Sequence, residues 1–310
     1  MNIRVGLTIF SVIIVCALAI SGMVLAGNFN HANAEVTPAE DPYRPESTPS
    51  ISENENPVNI LIVCEEAQIA DDIYILNYTP ETGVANMITI PGNTKTIYGT
   101  KLNTISGQKG MISLIDYIKI HFGFNIRYYF KLDYTALKHI VDAVDGVSYN
   151  LPTNFYSETT NLTAGTQVYS GDMAVALFRF RDPANGLYTQ ELAKYYDGTP
   201  YARTLLHTDF ITTLLTQKGN VTYIPRMTQI LTKCGTRIET NVTAEEWIEL
   251  IAKADTISTK KITQYILSGK EESNGNQFFI SNGRIKEMEV DREYTLAEVT
   301  NSIFWSTSLS

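Results

Sequence analysis

Three short apolar runs crowd together at residues 58–64 (VNILIVC), 72–78 (DIYILNY) and 84–90 (VANMITI). Each has strand length rather than helix length and is rich in Val, Ile and Tyr. Thr79-Pro80-Glu81-Thr82-Gly83 separates the second from the third and is a hairpin signal. Two adjacent strands are therefore antiparallel. The runs that follow alternate between helical and strand periodicity, which calls for layered α/β packing. A hairpin inside such an alternation makes the sheet mixed rather than purely parallel.

Residues 111–122 (MISLIDYIKIHF) are amphipathic and helical, with Gly123 at a C′ position. A strand is expected over 126–132, a helix over 135–144, a turn at Gly146 and a strand over 147–151. A helix is expected over 201–217. Thr243-Ala244-Glu245-Glu246 forms a capping box opening a helix that runs to residue 254. Strands over 262–267 and 277–280 finish the domain, and no internal repeat is visible. The expected architecture is a layered α/β domain with a central mixed β-sheet flanked by helices, preceded by one transmembrane helix.

That helix comes from residues 6–26 (GLTIFSVIIVCALAISGMVLA), which are uncharged and long enough to span a bilayer. Arg4 before it keeps residues 1–5 cytoplasmic. An uncleaved anchor competes with a signal peptide, because Ala32-Asn33-Ala34 has the small-x-small form of a cleavage site. In either case the remainder is extracytoplasmic, and the anchor reading makes it a single-pass protein of the cell membrane. Residues 27–57 hold five prolines among Glu, Ser, Thr and Asn and read as a disordered linker. The folded domain is expected over 58–270, with a C-terminal extension over 271–310.

The formal charge of −9 is a poor match for nucleic acid, so no nucleic-acid partner is expected. Three cysteines without close spacing form no disulfide framework and no zinc pattern. A Cys64–Cys234 pair and two buried free thiols both stay open.

Residues 162–181 (LTAGTQVYSGDMAVALFRFR) read as a loop and then a helix capped by Ser170. The helix ends in Arg179-Phe180-Arg181, and Asp182-Pro183 stops it. In an extended chain the two guanidiniums point to one side. Two forked cations suit a phosphate or pyrophosphate, although a solvated basic helix end has the same look.

The pattern LxAGxQxxxGxxAxxxxRxR, preceded by IVDAVxGV, resembles the LytR-CpsA-Psr family of cell-envelope enzymes. The resemblance covers about residues 58–267. It implies a phosphotransferase that moves a glycopolymer from a polyprenyl-pyrophosphate lipid onto peptidoglycan at the bacterial membrane, with Mg²⁺. It implies phosphate-holding roles for Arg179, Arg181, Arg203 and Lys101, and metal-holding roles for Asp71 and Glu66. His207 stands where the family has Gln, one helical turn from Arg203, and with Asn93 and Asn103 is assigned to substrate binding. Read without the family, His207 is a surface histidine and Glu65, Glu66, Asp71 and Asp72 are an ordinary acidic loop.

The chain departs from the family at two arginine slots, occupied here by Ile69 and Gly92, and at Asn93, where the family has Asp. A catalytically degenerate binder of polyprenyl-phosphate or glycan is therefore the second reading. Tyr188, Tyr195, Tyr196 and Tyr201 suggest a lid or glycan platform, or an uninformative insertion. Ile112, Leu114, Ile115, Ile118, Leu137, Ile140, Val141, Ala174, Leu177 and Phe178 line either the core or, by the resemblance, a tunnel for the polyprenyl chain.

Overall fold

A computed structural model describes residues 57–79, 84–181, 183, 189–219, 223, 226, 230, 233–243, 246, 262–272 and 277–296. The apolar run at 6–26, nearly all of the linker, the hairpin tip at 80–83, Tyr188 and most of the helix expected up to 254 lie outside these residues. Among the described residues no helix is long and apolar enough to cross a membrane.

In chain order, β1 (Val58–Glu66), β2 (Ile69–Thr79) and β3 (Val84–Pro91) lead to α1 (Ile105–Phe122). β4 (Tyr128–Asp133), α2 (Tyr134–Ala143) and β5 (Val147–Leu151) follow. Next come the two-residue strands β6 (Phe155–Tyr156) and β7 (Asn161–Leu162), then β8 (Gly165–Tyr169) and α3 (Gly171–Arg179). A short α4 (Gln190–Ala193) precedes α5 (Pro200–Lys218). β9 (Ile238–Thr240), β10 (Thr263–Glu271), β11 (Phe279–Glu287) and β12 (Arg292–Thr295) complete the described elements.

Eight strands form one sheet in the order β12-β11-β10-β3-β2-β1-β4-β9. β1 and β2 are antiparallel, as are β2 and β3, while β1 pairs with β4 and β3 with β10 in parallel. The sheet is mixed, as the hairpin signal requires. β1, β3, β4 and β10 all run the same way, so their carboxyl ends gather at one edge.

Helices cover both faces. Ile60 and Cys64 of β1, with Tyr74 and Leu76 of β2, join a core layer built with α2, α3 and α5. Leu61, Val63, Ile73 and Ile75 point the other way, into a layer with α1. Strands buried on both faces read as continuous apolar runs, and for that reason they stood out in the sequence. Nine of the ten apolar positions divide between these layers, and Ile112 is exposed to solvent. Leu114 and Ile118 lie on one face of the sheet, and Leu137, Val141, Ala174, Leu177 and Phe178 on the other. They cannot all line one tunnel.

Local chemistry fixes the helix starts. Ser170 Oγ accepts from Met173 N at 3.3 Å, Asp133 Oδ1 from Ala136 N at 2.7 Å, and Thr199 Oγ1 from Ala202 N at 3.1 Å. The capping box is present: Thr243 N donates to Glu246 Oε2 at 3.0 Å and Glu246 N to Thr243 Oγ1 at 3.3 Å. α1 starts six residues earlier than its periodicity predicts, because Gly110 (φ 83°, ψ 169°) bends the chain between two helical pieces. Cys64 and Cys234 are buried free thiols.

The domain boundary at 270 needs correction. β11 and β12 continue the main sheet beyond β10, so residues 279–295 belong to the domain rather than to an extension. The strand expected at 277–280 meets only the start of β11 (Phe279–Glu287), whose remainder is half-exposed and carries little apolar pattern.

Gly171 opens α3 against α2: its N–H donates to Asp142 Oδ1 at 2.7 Å, and a Cβ there would meet the Lys138 carbonyl. Gly171→Ala should therefore overpack the helix pair and cost about 1–3 kcal/mol. Urea unfolding checks this, with a lowered midpoint at unchanged slope expected. An unchanged midpoint would show that α2 and α3 are free to move apart.

Candidate active site

One irregularity in the sheet organises the site. Cys64 pairs with Asp72, but Glu65 pairs with Ala70, so Asp71 is an extra residue on β2. Such a bulge re-aims side chains. Regular alternation would send Asp71 and Asp72 to opposite faces. Here both reach the layer of α2 and α5. Asp71 Oδ2 accepts from Tyr134 Oη at 2.5 Å, and Asp72 Oδ2 lies 2.5 Å from His207 Nδ1.

α5 answers this pair of carboxylates with its own spacing. Arg203 and His207 are four residues apart and share a helix face. Arg203 Nη2 donates to Asp71 Oδ1 at 3.2 Å while His207 meets Asp72. From α3, Arg179 pairs with Glu66 at the end of β1, its Nε donating at 3.1 Å. Phe180 then leaves the helix with extended backbone (φ −63°, ψ 122°) and is buried against Phe155 and Tyr196. That turn sends Arg181 back to Asp71, with Nη2 to Oδ1 at 3.4 Å. Tyr196 Oη donates to the Arg181 carbonyl at 2.7 Å.

These groups surround a cleft of about 360 Å³. Seven expected site residues line it: Glu66, Asp71, Asn93, Lys101, Asn103, Arg181 and Arg203. Arg179 stands outside the lining and holds Glu66. His207 is corrected. It is wholly buried behind the cleft rather than facing it, with its ring stacked on Phe178 at 4.1 Å and 7°. It positions Asp72 and α5 instead of touching what enters. Tyr196 is core as well, and Tyr201 stacks on Phe279 at 5.3 Å. Neither forms a platform.

Burial, and then the Asp71 charge, push the Tyr134 phenol far above its ordinary range, so it remains a donor to that carboxylate. Burial, with Asp72 and Asp71 adding to it, raises the Cys64 thiol likewise, which excludes a reactive thiolate beneath the site.

The two arginine slots differ in kind. Ile69 sits at the exposed rim of the cleft. Gly92 has no room: a Cβ would lie 2.6 Å from the Ala70 carbonyl and 2.8 Å from that of Asp71. Asn93 is turned sideways, its Nδ2 donating to the Gln277 carbonyl at 2.8 Å and to Glu271 Oε2 at 3.1 Å. Its Oδ1 and that of Asn103 are buried with no protein partner.

Glu271 is the residue that sequence reading missed. At the end of β10, it accepts from Asn93 and, at 3.1 Å, from Tyr201 N in the first turn of α5. It thereby ties the loop after β3 to the helix carrying Arg203. Burial raises its carboxyl, and the Asn93 and Tyr201 donors oppose that shift. It lies beyond the strand expected at 262–267, so no local signal marks it.

The LytR_cpsA_psr family profile matches residues 23–293. The chain belongs to this family. Over 144 residues it is 28% identical to the polyisoprenyl-teichoic acid–peptidoglycan teichoic acid transferase TagU of Bacillus mycoides (strain KBAB4), covering 43% of this chain and 47% of that relative. The match thus spans about half of the relative's length. TagV of B. subtilis superposes with a TM-score of 0.59 at 20% identity, over 73% of this chain and 91% of that one. A structure of TagT bound to LI-WTA gives a TM-score of 0.57 at 15% identity, over 81% of this chain and 91% of that one. These likenesses fix the fold as that of the family.

The buried Asp72–His207 contact yields a stability test. His207→Leu strips a wholly buried carboxylate of its donor and should cost about 3–5 kcal/mol. His207→Gln keeps a donor and should cost much less. Denaturant midpoints compare the two, and equal losses would show that shape, not the hydrogen bond, is what counts.

Proposed function

We propose that this protein is a membrane-anchored phosphotransferase of the cell envelope, passing a glycopolymer from a polyprenyl-pyrophosphate lipid to peptidoglycan. One observation carries the reading: Arg181 and Arg203 converge on Asp71 in a cleft that Lys101 also lines. Three cations line one cleft, and Arg179 holds Glu66 of its wall, in a chain with charge −9. Forked guanidiniums held by carboxylates are already ordered for a pyrophosphate. The TagU relative, a polyisoprenyl-teichoic acid–peptidoglycan teichoic acid transferase, supports this chemistry.

The donor set fits Mg²⁺. Asp71 and Glu66 offer hard carboxylate oxygens, and the unpartnered amide oxygens of Asn93 and Asn103 lie in the same wall. Among the described residues no three His, Cys, Asp or Glu come together, so the chain would supply one or two carboxylates and the substrate phosphates the rest. When bound, the ion would neutralise phosphate charge. Arg181, Arg203 and Lys101 bind and orient the pyrophosphate. The acceptor hydroxyl of peptidoglycan attacks phosphorus and loses its proton to a carboxylate of the cleft. Its new P–O bond replaces the pyrophosphate bond, and polyprenyl phosphate leaves.

The filled slot at Gly92 favours a second reading, a binder of polyprenyl-phosphate lipid without turnover. That slot cannot regain a cation by substitution, because the Ala70 and Asp71 carbonyls occupy its space.

The test incubates the full chain with Mg²⁺, a short-chain polyprenyl-pyrophosphate glycolipid and peptidoglycan oligomers, with products read by mass spectrometry. A glycan–phosphate–peptidoglycan adduct is expected. Arg181→Ala should slow its formation by about 10²-fold or more, as loss of a positioned charge stabiliser does. Asp71→Ala should abolish the product at every Mg²⁺ concentration tried. Lipid binding without adduct would replace the transferase by the binder.

A further inference from the structure

We infer that the loop after β3 and the first half of α1 form a surface that seats the domain on an anionic lipid bilayer, with the cleft opening beside it. Residues 92–115 carry three lysines and no acidic residue in a chain whose formal charge is −9. Lys95 and Lys101 bridge each other across a tight turn, and Ile97 and Tyr98 sit at its tip. These two side chains are 62% and 54% exposed. Ile112, on the next turn of α1 after Lys109, is 64% exposed.

The tip is rigid rather than incidental. Thr96 N donates to the Thr100 carbonyl at 2.8 Å, and the two threonine hydroxyls are 2.9 Å apart. Ile97 N donates to Tyr117 Oη at 3.2 Å, and Lys109 Nζ lies 5.9 Å from the Tyr98 ring centre. Among the described residues Glu272 approaches Lys95 at 3.8 Å, while Glu271 and Glu65 bond Asn93 and Ser106 on the buried side of the segment. Fixed exposed Ile and Tyr with interleaved lysines match the headgroup region, where an amphipathic aromatic sits at the interface and lysines are attracted to anionic lipid.

The same segment builds the cleft. Gly92, Asn93, Lys101, Asn103 and Thr104 line it. Tyr98 is three residues from Lys101, so at most about 11 Å of chain separates the tip from the cleft wall. The surface rests on the transferase reading only for what enters the cleft, a phosphate still anchored in the bilayer. Its own contact with lipid is a separate claim.

The test uses the full chain in nanodiscs of phosphatidylcholine, with or without phosphatidylglycerol, containing brominated acyl chains that quench tryptophan at short range. Tyr98→Trp adds an emitter at the tip, Val168→Trp adds one on the exposed strand β8, and the parent's two tryptophans give the baseline. The emission gained at 98 should be quenched at least twofold more than that gained at 168. The excess should need phosphatidylglycerol and fall in the background K95E/K109E. Equal quenching at both positions, or none at 98, overturns the surface. So does a Tyr98-dependent dimer in sedimentation, which would make this face an interface between copies. Quenching at 98 with no transfer product keeps the surface and removes the transferase. Transfer that survives Ile97→Ser/Tyr98→Ser unchanged, with no quenching at 98, does the reverse.

Discussion

The single extra residue in β2 is the constraint on which the site depends. Two consecutive aspartates on a regular strand would face opposite layers, and one would be buried among α1 side chains with no partner. The bulge at Asp71 puts both on the face covered by α2 and α5. Each buried carboxylate then needs a donor, since an unpaired charge in such a layer is very costly. α5 supplies two donors one turn apart, Arg203 for Asp71 and His207 for Asp72. The helix spacing and the bulge are thus two halves of one fit. Asp72 and His207 hold it from behind, while Asp71 and Arg203 present its working side to the cleft.

The charge arrangement follows from that fit. Asp71 takes one donor from α2, one from the chain after α3 and one from α5. A carboxylate so engaged keeps the guanidiniums aimed inward before any anion arrives, which lowers the ordering cost of binding. Glu66 does the same for Arg179. The departures from the family pattern divide accordingly. Ile69 lies at the rim, where only a charge is missing. At Gly92 the neighbouring carbonyls have closed the space, and Asn93 has turned to Glu271 and Gln277. The wall beside Lys101 is therefore rebuilt around amide oxygens instead of a guanidinium.

What was legible in the sequence was local. The doubly buried strands announced themselves as apolar runs, and the caps at Ser170 and Thr243 lie within three residues of the N–H groups they satisfy. Arg179 and Arg181 were legible because Phe180 between them is buried, leaving both cations to turn toward the ends of β1 and β2. What escaped depends on register or on distant partners. A bulge is a mismatch between two strands and leaves no mark on either alone. His207 looked like a surface residue because its partner is 135 positions away. Tyr196 looked like an exposed platform until the Arg181 carbonyl and Phe155 enclosed it. Glu271 joins three segments that only the folded sheet brings together.

The sheet topology explains why those segments meet where they do. β1, β3, β4 and β10 run in the same direction, and the carboxyl ends of such strands are where open α/β sheets form their crevices. Glu66 ends β1, Asn93 follows β3 and Glu271 ends β10, while β2 runs the other way and starts at the same edge with Ile69, Ala70 and Asp71. Every cleft group on the sheet thus comes from a strand end rather than a strand middle. Side chains in the middle are committed to the two core layers, and changing them disturbs packing on both faces. Strand ends are free of that commitment. The family pattern could change at residues 69, 92 and 93 while the apolar runs a few positions away stayed intact, and the fold persists under a rebuilt cleft.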